Sequence, residues 1–327
     1  MAGAGAAVAQ QTFRLMDPIS QRMMGLRADM TPQVARIAAS RLAKAPRPLR
    51  LCYAGQVLRV RGGQLRAARQ FGQVGAELIG AGHLLADVEV VSLAAEALQG
   101  LGIEALSVDL TQPTLVSDLA RDLGFAPESV ALLREALDRK DAATVQAAAG
   151  EKAGIFIALL RAAGPAERGL RALKSLSLPK PVAAQVGQLA EVVALIAEAL
   201  PGLAITIDPV EHRGFEYQTG LSFTFFAPKV RGELGRGGRY RASSVGQGKE
   251  PATGFTLYMD TIMGALPPGE RRPRVYLAPD AGRTRARALQ AEGWVTLGAT
   301  DPAADHWAEA KRLGCGHILS GEELEEL

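Results

Sequence analysis

Cysteine is almost missing from this chain of 327 residues: there are two, Cys52 and Cys315, far apart. That excludes a disulfide framework and a thiolate zinc site, and it fits a reducing, cytoplasmic setting in which both thiols serve as small buried hydrophobes. The four histidines, His83, His212, His306 and His317, form no i,i+4 pair and no pattern with cysteine, so no metal centre and no cofactor is expected. Apolar runs fall short of the roughly 18 residues of a membrane span, and the opening AGAGAAVA lacks the basic flank and length of a signal peptide. Net charge is only +3 and the ending EELEEL is acidic, so bulk charge gives no support to a nucleic-acid partner. No Ser-His-Asp arrangement is recognisable.

What is present is an ordinary globular composition, 48% hydrophobic and 22% charged, on a length that exceeds one typical core. The first eleven residues, rich in Gly, Ala and Gln, are expected to be disordered. Short strands are predicted at Thr12 to Met16 and Gln21 to Arg27, turned by Asp17-Pro18. Thr31-Pro32 supplies an N-cap and a first-turn proline for a helix. Met23-Met24 reads as core packing.

Leu51 to Val60 and Gln70 to Gly80 read as strands. On the second, Val74, Ala76 and Leu78 face helices, while Gln73 and Glu77 face the other way, with Gly75 leaving room for a small ligand between them. From Pro113 to Pro201 apolar residues recur three and four apart, as in Leu189, Val192, Val193, Ile196 and Leu200, a helical insertion. Strands resume at Ala204 to Ile207 and Gly220 to Phe226, and a helix is expected after Gly254. The tail alternates: strand Val275 to Ala278, helix Thr284 to Glu292, strand Trp294 to Leu297, helix Pro302 to Leu313, strand His317 to Ser320. The domains expected are residues 1–112 with 201–268 as a discontinuous core, 113–200 as the insertion, and 269–327 as a small α/β unit.

Five stretches carry more information than these periods: LRADMTPQVARIAA from Leu26, YAGQVLRVRGGQLRAARQFGQVGAELIG from Tyr53, RGFEYQTG from Arg213, GRGGRY from Gly235 and GFTLYMDTI from Gly254. In this order they resemble histidyl-tRNA synthetases and, more closely, their non-synthetase relatives, the regulatory subunits of ATP phosphoribosyltransferase. The match runs from Thr12 to about Ile262. It implies an α+β fold, a class II aminoacyl-tRNA synthetase-like antiparallel sheet flanked by helices. Relatives of this kind carry a further helix and a long strand ahead of the point where this sequence starts, elements that build their dimer interface, so the resemblance implies a shortened start or a weakened dimer.

The resemblance implies a site for L-histidine: Asp29, Thr31 and Gln73 on the ammonium group, Glu77 and Tyr217 on the imidazole, Arg59 and Arg213 on the carboxylate. Gln218 stands where synthetases have a second tyrosine, which bears on imidazole specificity. For ATP, Arg59 matches the second-motif arginine, Arg61 replaces an acid and Thr261 replaces the third-motif arginine. The implied protein is therefore not an enzyme but a regulatory subunit, without catalytic residues, joined to the short-form catalytic subunit in a hetero-octamer and carrying histidine feedback. The alternatives are a divergent histidyl-tRNA synthetase and a synthetase-like tRNA sensor. The clusters Arg59, Arg61, Arg66, Arg69 and Arg231, Arg236, Arg239, Arg241 read as solvated faces or as RNA or protein contacts. GRGGRY is no phosphate loop, because it lacks the Lys-Ser/Thr ending.

Overall fold

The computed structural model describes residues 9–62, 68–212, 218–244, 248–267, 269 and 272–327. The chain divides into two units, Met1–Leu266 and Pro267–Leu327.

In the first unit Ala9–Gln11 form a 3-10 turn, against the disorder expected through residue 11, and a hairpin of β1 (Arg14–Met16) and β2 (Met23–Gly25) follows, closed where the Asp17 carboxylate accepts from the amides of Ile19 and Ser20. Met23 and Met24 are 61% and 52% exposed, against the expected core packing. No layer covers this hairpin among the described residues. Helix α1 (Thr31–Ser40) follows, and its N-cap is Met30, not Thr31. Asp29 Oδ1 accepts the Thr31 amide at 2.9 Å, doing the capping work and leaving the Thr31 hydroxyl for other partners.

Strands β3 (Leu49–Leu58) and β4 (Gln70–Ile79) pair antiparallel, from Leu49↔Ile79 to Leu58↔Gln70. Alternation on the edge strand β3 turns Cys52 outward, so only Cys315 is buried. His83 Nδ1 accepts from the Leu85 amide and caps α2 (Leu84–Gly100), which leads to β5 (Ser107–Thr111). A helical stretch comes next: α3 (Leu115–Asp122), α4 (Pro127–Asp138), α5 (Ala142–Ala149) and α6 (Ala153–Arg161), then the short β6 (Gly164–Pro165), α7 (Ala166–Lys174) and α8 (Lys180–Ala199). Strands β7 (Ala204–Ile207), β8 (Gln218–Phe226), β9 (Gly235–Ser244) and β10 (Gly248–Tyr258) and helix α9 (Met259–Ala265) complete the unit.

The eight strands lie in the order β3-β4-β10-β9-β8-β5-β7-β6. Pairing is antiparallel except between β5 and β7, which run parallel. A parallel pair needs a long crossover, and the helices from Leu115 to Ala199 are that crossover. Their apolar faces join α2 and the sheet in one core that includes Leu98, Leu110, Leu119, Phe156, Leu189 and Phe223. Each such fully buried side chain stabilises the fold by roughly 1.5–3 kcal/mol.

Two stretches, Ala142–Arg161 and Lys180–Ala199, are apolar and long enough to cross a membrane by length and composition, which corrects the expectation that no run approaches that length. In the fold α8 turns Val182, Val186, Leu189, Val192 and Ile196 into the core, the stripe of an amphipathic helix.

The opposite face of the sheet is covered by α1. Met30, Val34, Tyr53, Val57, Phe71 and Tyr258 pack there, beside a second group of Ala38, Ile79, Tyr240, Ala242 and Ala252. The helix expected after Gly254 begins five residues later. Phe255 and Leu257 point into the large core while Tyr258 joins the α1 side, an alternation that holds β10 extended to its end. β9 is a strand despite GRGGRY: a Cβ at Gly237 would lie 2.4 Å from the Phe223 ring, so bare backbone is what lets β8 and β9 pack here.

The second unit runs β11 (Arg274–Leu277), α10 (Arg283–Ala291), β12 (Val295–Gly298), α11 (His306–Arg312), β13 (His317–Ser320) and β14 (Glu323–Glu326), in the sheet order β12-β11-β13-β14. β11 is parallel to both neighbours, and β14, unforeseen in the acidic ending, is antiparallel to β13. α11 starts later than expected because the Asp305 carboxylate accepts from the amides of Trp307 and Ala308.

Candidate ligand site beneath the first helix

Glu77 sits on the α1 side of β4, 2% exposed. Its partner in register on β10 is Gly254, where an added Cβ would lie 1.8 Å from Glu77 Oε2. Only glycine leaves the carboxyl its place. Tyr240 on β9 donates to Glu77 Oε2 at 2.9 Å, and the Thr31 hydroxyl on α1 is a second hydrogen-bond partner. Burial pushes Glu77 up to about 8; the bonds from Thr31 and Tyr240 oppose this, and the nearby Asp29 adds to it. Among the described residues no cation pairs with it.

Gln73, 1% exposed, lies on the same face of β4. Its Oε1 accepts the Met30 amide at 3.0 Å, which ties the start of α1 to the sheet. Its Nε2 is buried and has no partner among the described residues. Asp29 Oδ2 and Arg59 Nη2 lie 3.6 Å apart. Arg59 Nε donates to Ala28 O at 3.1 Å, and its guanidinium lies 5.0 Å above the Phe71 ring. Tyr258 meets Phe71 edge-on at 5.8 Å, and Arg236 bonds both Tyr258 and Glu233, the latter at 2.9 Å. Burial pushes the Tyr258 phenol up, and the Arg236 charge draws it back.

Five of the seven expected residues, Asp29, Thr31, Arg59, Gln73 and Glu77, thus converge where α1 meets β3 and β4. Arg213 and Tyr217 lie outside the described residues, as does Arg66. The room expected at Gly75 is taken: a Cβ there would lie 2.5 Å from the Tyr53 ring, which reaches across β4 from β3. The Tyr53 hydroxyl bonds Thr256 Oγ1 at 2.5 Å and donates to Phe255 O at 3.2 Å. Gln218 is tied to its own strand pair, donating to Gly237 O at 3.2 Å and accepting from the Ser222 hydroxyl.

Sequence reasoning missed Tyr53, Tyr240, Tyr258 and Arg236. GRGGRY, which lacks the ending of a phosphate loop, lies in strand β9. Arg239 reaches Asp87 at 2.8 Å, and Tyr240 reaches Glu77. The arginine cluster is therefore divided among different partners. Asp260 and Thr261, at the start of α9, line an open cavity of about 350 Å³ with Lys229, Val230, Arg231 and Gly264.

A family model described as histidyl-tRNA synthetase matches residues 1–262. The chain is 54% identical over 325 residues to the ATP phosphoribosyltransferase regulatory subunit of Paramagnetospirillum magneticum, covering 99% of this chain and 85% of the relative. It is 52% identical over 327 residues to that of Rhodospirillum centenum, covering 100% and 84%. Among solved structures, an ATP phosphoribosyltransferase regulatory subunit/histidyl-tRNA synthetase from Bacillus halodurans superposes with TM-score 0.76 at 23% identity, covering 95% of this chain and 83% of that one. The ATP phosphoribosyl transferase (HisG:HisZ) complex from Thermotoga maritima matches with TM-score 0.61 at 18% identity over 76% of this chain and 85% of that one. Identity above 50% over nearly its whole length, together with the family model over residues 1–262, shows that the chain belongs to the family of ATP phosphoribosyltransferase regulatory subunits, built on the histidyl-tRNA synthetase fold.

Proposed function

We propose that this chain is the non-catalytic partner of a short-form ATP phosphoribosyltransferase catalytic subunit and that it reads L-histidine in the site beneath α1. The observation that carries the reading is Glu77, a buried carboxyl on the same strand face as Gln73 Nε2, a buried donor; among the described residues the first has no cationic partner and the second no acceptor. Buried polar groups are ordinarily satisfied, and Gln73 Nε2 has no partner among the described residues, so this donor beside a buried acid calls for a ligand. Asp29 and Arg59, 3.6 Å apart, present opposite charges that suit the ammonium and carboxylate of one amino acid. Gln73 Oε1 accepts the Met30 amide and keeps a second lone pair for the ammonium, while its Nε2, without an acceptor among the described residues, can donate to the carboxylate. Glu77 faces the imidazole, with the Tyr53 ring as floor, and Arg213 and Tyr217 complete the set by resemblance.

Thr261 in place of the third-motif arginine, and Arg61 in place of an acid, argue against adenylation. Losing one preorganised cation alone costs about 3–4 kcal/mol of transition-state stabilisation, by analogy with removed oxyanion donors. The assembly is a hetero-octamer with the catalytic chain, and histidine acts by favouring one arrangement of it. A coupling of about 1–3 kcal/mol changes activity roughly 5- to 150-fold.

The test is co-purification with the short-form catalytic subunit and an assay with and without L-histidine. Glu77→Ala and Asp29→Ala are expected to weaken inhibition by about 1–3 kcal/mol while assembly persists. Unchanged inhibition in both removes this pocket from the mechanism. Histidine-dependent exchange of pyrophosphate into ATP by the purified chain would overturn the non-catalytic reading.

A further inference from the structure

We infer that Glu77 and the bound ligand hold one proton between them, so that the site selects a ring with a basic nitrogen. The inference rests on the histidine reading of the site. Its basis is the set of groups that face Glu77. From α1 comes the Thr31 hydroxyl, and from the turn before it the Asp29 carboxylate, which is paired with Arg59. β9 supplies the Tyr240 hydroxyl, β10 the bare backbone of Gly254, and β3 the Tyr53 phenol, whose own proton loss Glu77 opposes.

Every described hydrogen-bond partner of Glu77 is neutral, and the charged group that acts on it is another acid. A bare carboxylate is costly there, and the proton stays on until pH reaches about 8.

A neutral imidazole brings one N–H donor and one bare nitrogen. The bare nitrogen accepts the Glu77 proton: the carboxyl O–H bond breaks, its electron pair stays on oxygen, and a ring N–H bond forms. Whether the proton rests on oxygen or nitrogen, the complex holds the same number, so binding near neutrality exchanges almost none with solvent. Below the ordinary imidazole value of about 6.5 the free ring already carries a proton, and one must be released on binding. Above about 8 Glu77 has lost its own, and one must be taken up. Affinity is therefore greatest between these limits and falls by about tenfold per pH unit beyond either one.

The experiment is calorimetry of the full chain with L-histidine at pH 5.5, 7.0 and 8.5, each in two buffers of different ionisation enthalpy. Expected are release of nearly one proton at the lowest pH, almost none at neutrality, and uptake at the highest. The ligand's ammonium also titrates on the alkaline side. Glu77→Gln carries that loss alone, so the wild-type profile must fall more steeply than the variant's. A 1,2,4-triazole analogue of histidine, with its less basic ring, is expected to move the acid limb to lower pH and leave the alkaline limb in place. Histidine binding with release of nearly one proton at pH 7.0, or with affinity unchanged from pH 7.0 to 8.5, overturns the shared proton and leaves the histidine site standing. No histidine binding at any of the three pH values overturns the site itself.

Discussion

Tyr240 Oη donates to Glu77 Oε2 over 2.9 Å, and the contact ties β9 to β4 across the strand that separates them, above Gly254. It is a neutral donor serving a buried acid. Tyr240→Phe is expected to cost about 1–2 kcal/mol, the price of an unmade buried hydrogen bond. It should also push the Glu77 carboxyl higher, because the lost bond is one of those holding it down. Urea denaturation at pH 7 measures the first effect, and carboxyl titration by NMR the second.

Gly254→Ala tests the space beneath Glu77. With a Cβ 1.8 Å from Oε2 the carboxyl has to leave its place, and overpacking of this kind costs about 1–3 kcal/mol. Thermal unfolding and a histidine titration are expected to show lower stability and loss of the response. Gly264→Ala on α9 is the control, since its nearest neighbour would be Val230 Cγ1 at 3.7 Å. It should stabilise by roughly 0.5–1 kcal/mol.

A second group of acids predicts a pH dependence of stability. Glu211 is pushed up to about 7, chiefly by burial, with Asp109, Asp208 and Asp138 adding to it and Lys140 opposing. The folded state therefore binds a proton more tightly than the unfolded one. The stabilisation is fully present below the ordinary value of 4.5 and is lost as pH rises to about 7. Urea midpoints at pH 5, 6, 7 and 8 should fall through this window, and Glu211→Gln should flatten the decline.

Asp87 is 1% exposed at its side chain and meets Arg239 Nη2 at 2.8 Å and the Thr253 hydroxyl at 2.8 Å. Arg239→Ala strands this acid and is expected to destabilise by about 3–5 kcal/mol. Asp87→Asn added to it should recover a substantial part, because the buried charge is gone. A double-mutant cycle by denaturant unfolding measures the difference.

Much of the architecture was legible from local pattern. The alternation on β4 put Ala76 and Leu78 in the large core and Gln73 and Glu77 on the other face, and the motif order indicated the synthetase-like sheet. Where the reading failed, a residue remote in sequence had decided the outcome. Gly75 looked like open space until Tyr53 arrived from the neighbouring strand. Thr31 looked like a helix cap, but Asp29 took that duty. Met23 and Met24 looked like core, but their hairpin found no covering layer among the described residues. β9 was hidden because its glycines answer to Phe223 and Gln218 on β8, which no window around GRGGRY contains.

By itself the sequence determined the periods of helices and strands, the order of the motifs and, through them, the kind of protein this is, because those depend on neighbours along the chain. Only the tertiary structure decided that Glu77 lies under Tyr240 and Thr31 with no cation paired to it among the described residues, that Gln73 Nε2 has no acceptor among them, and that Gln218 is engaged by its own strand pair. Charge, burial and hydrogen-bond satisfaction at a point are sums over everything near it in space, and α1, β3, β4, β9 and β10 bring together residues more than two hundred positions apart.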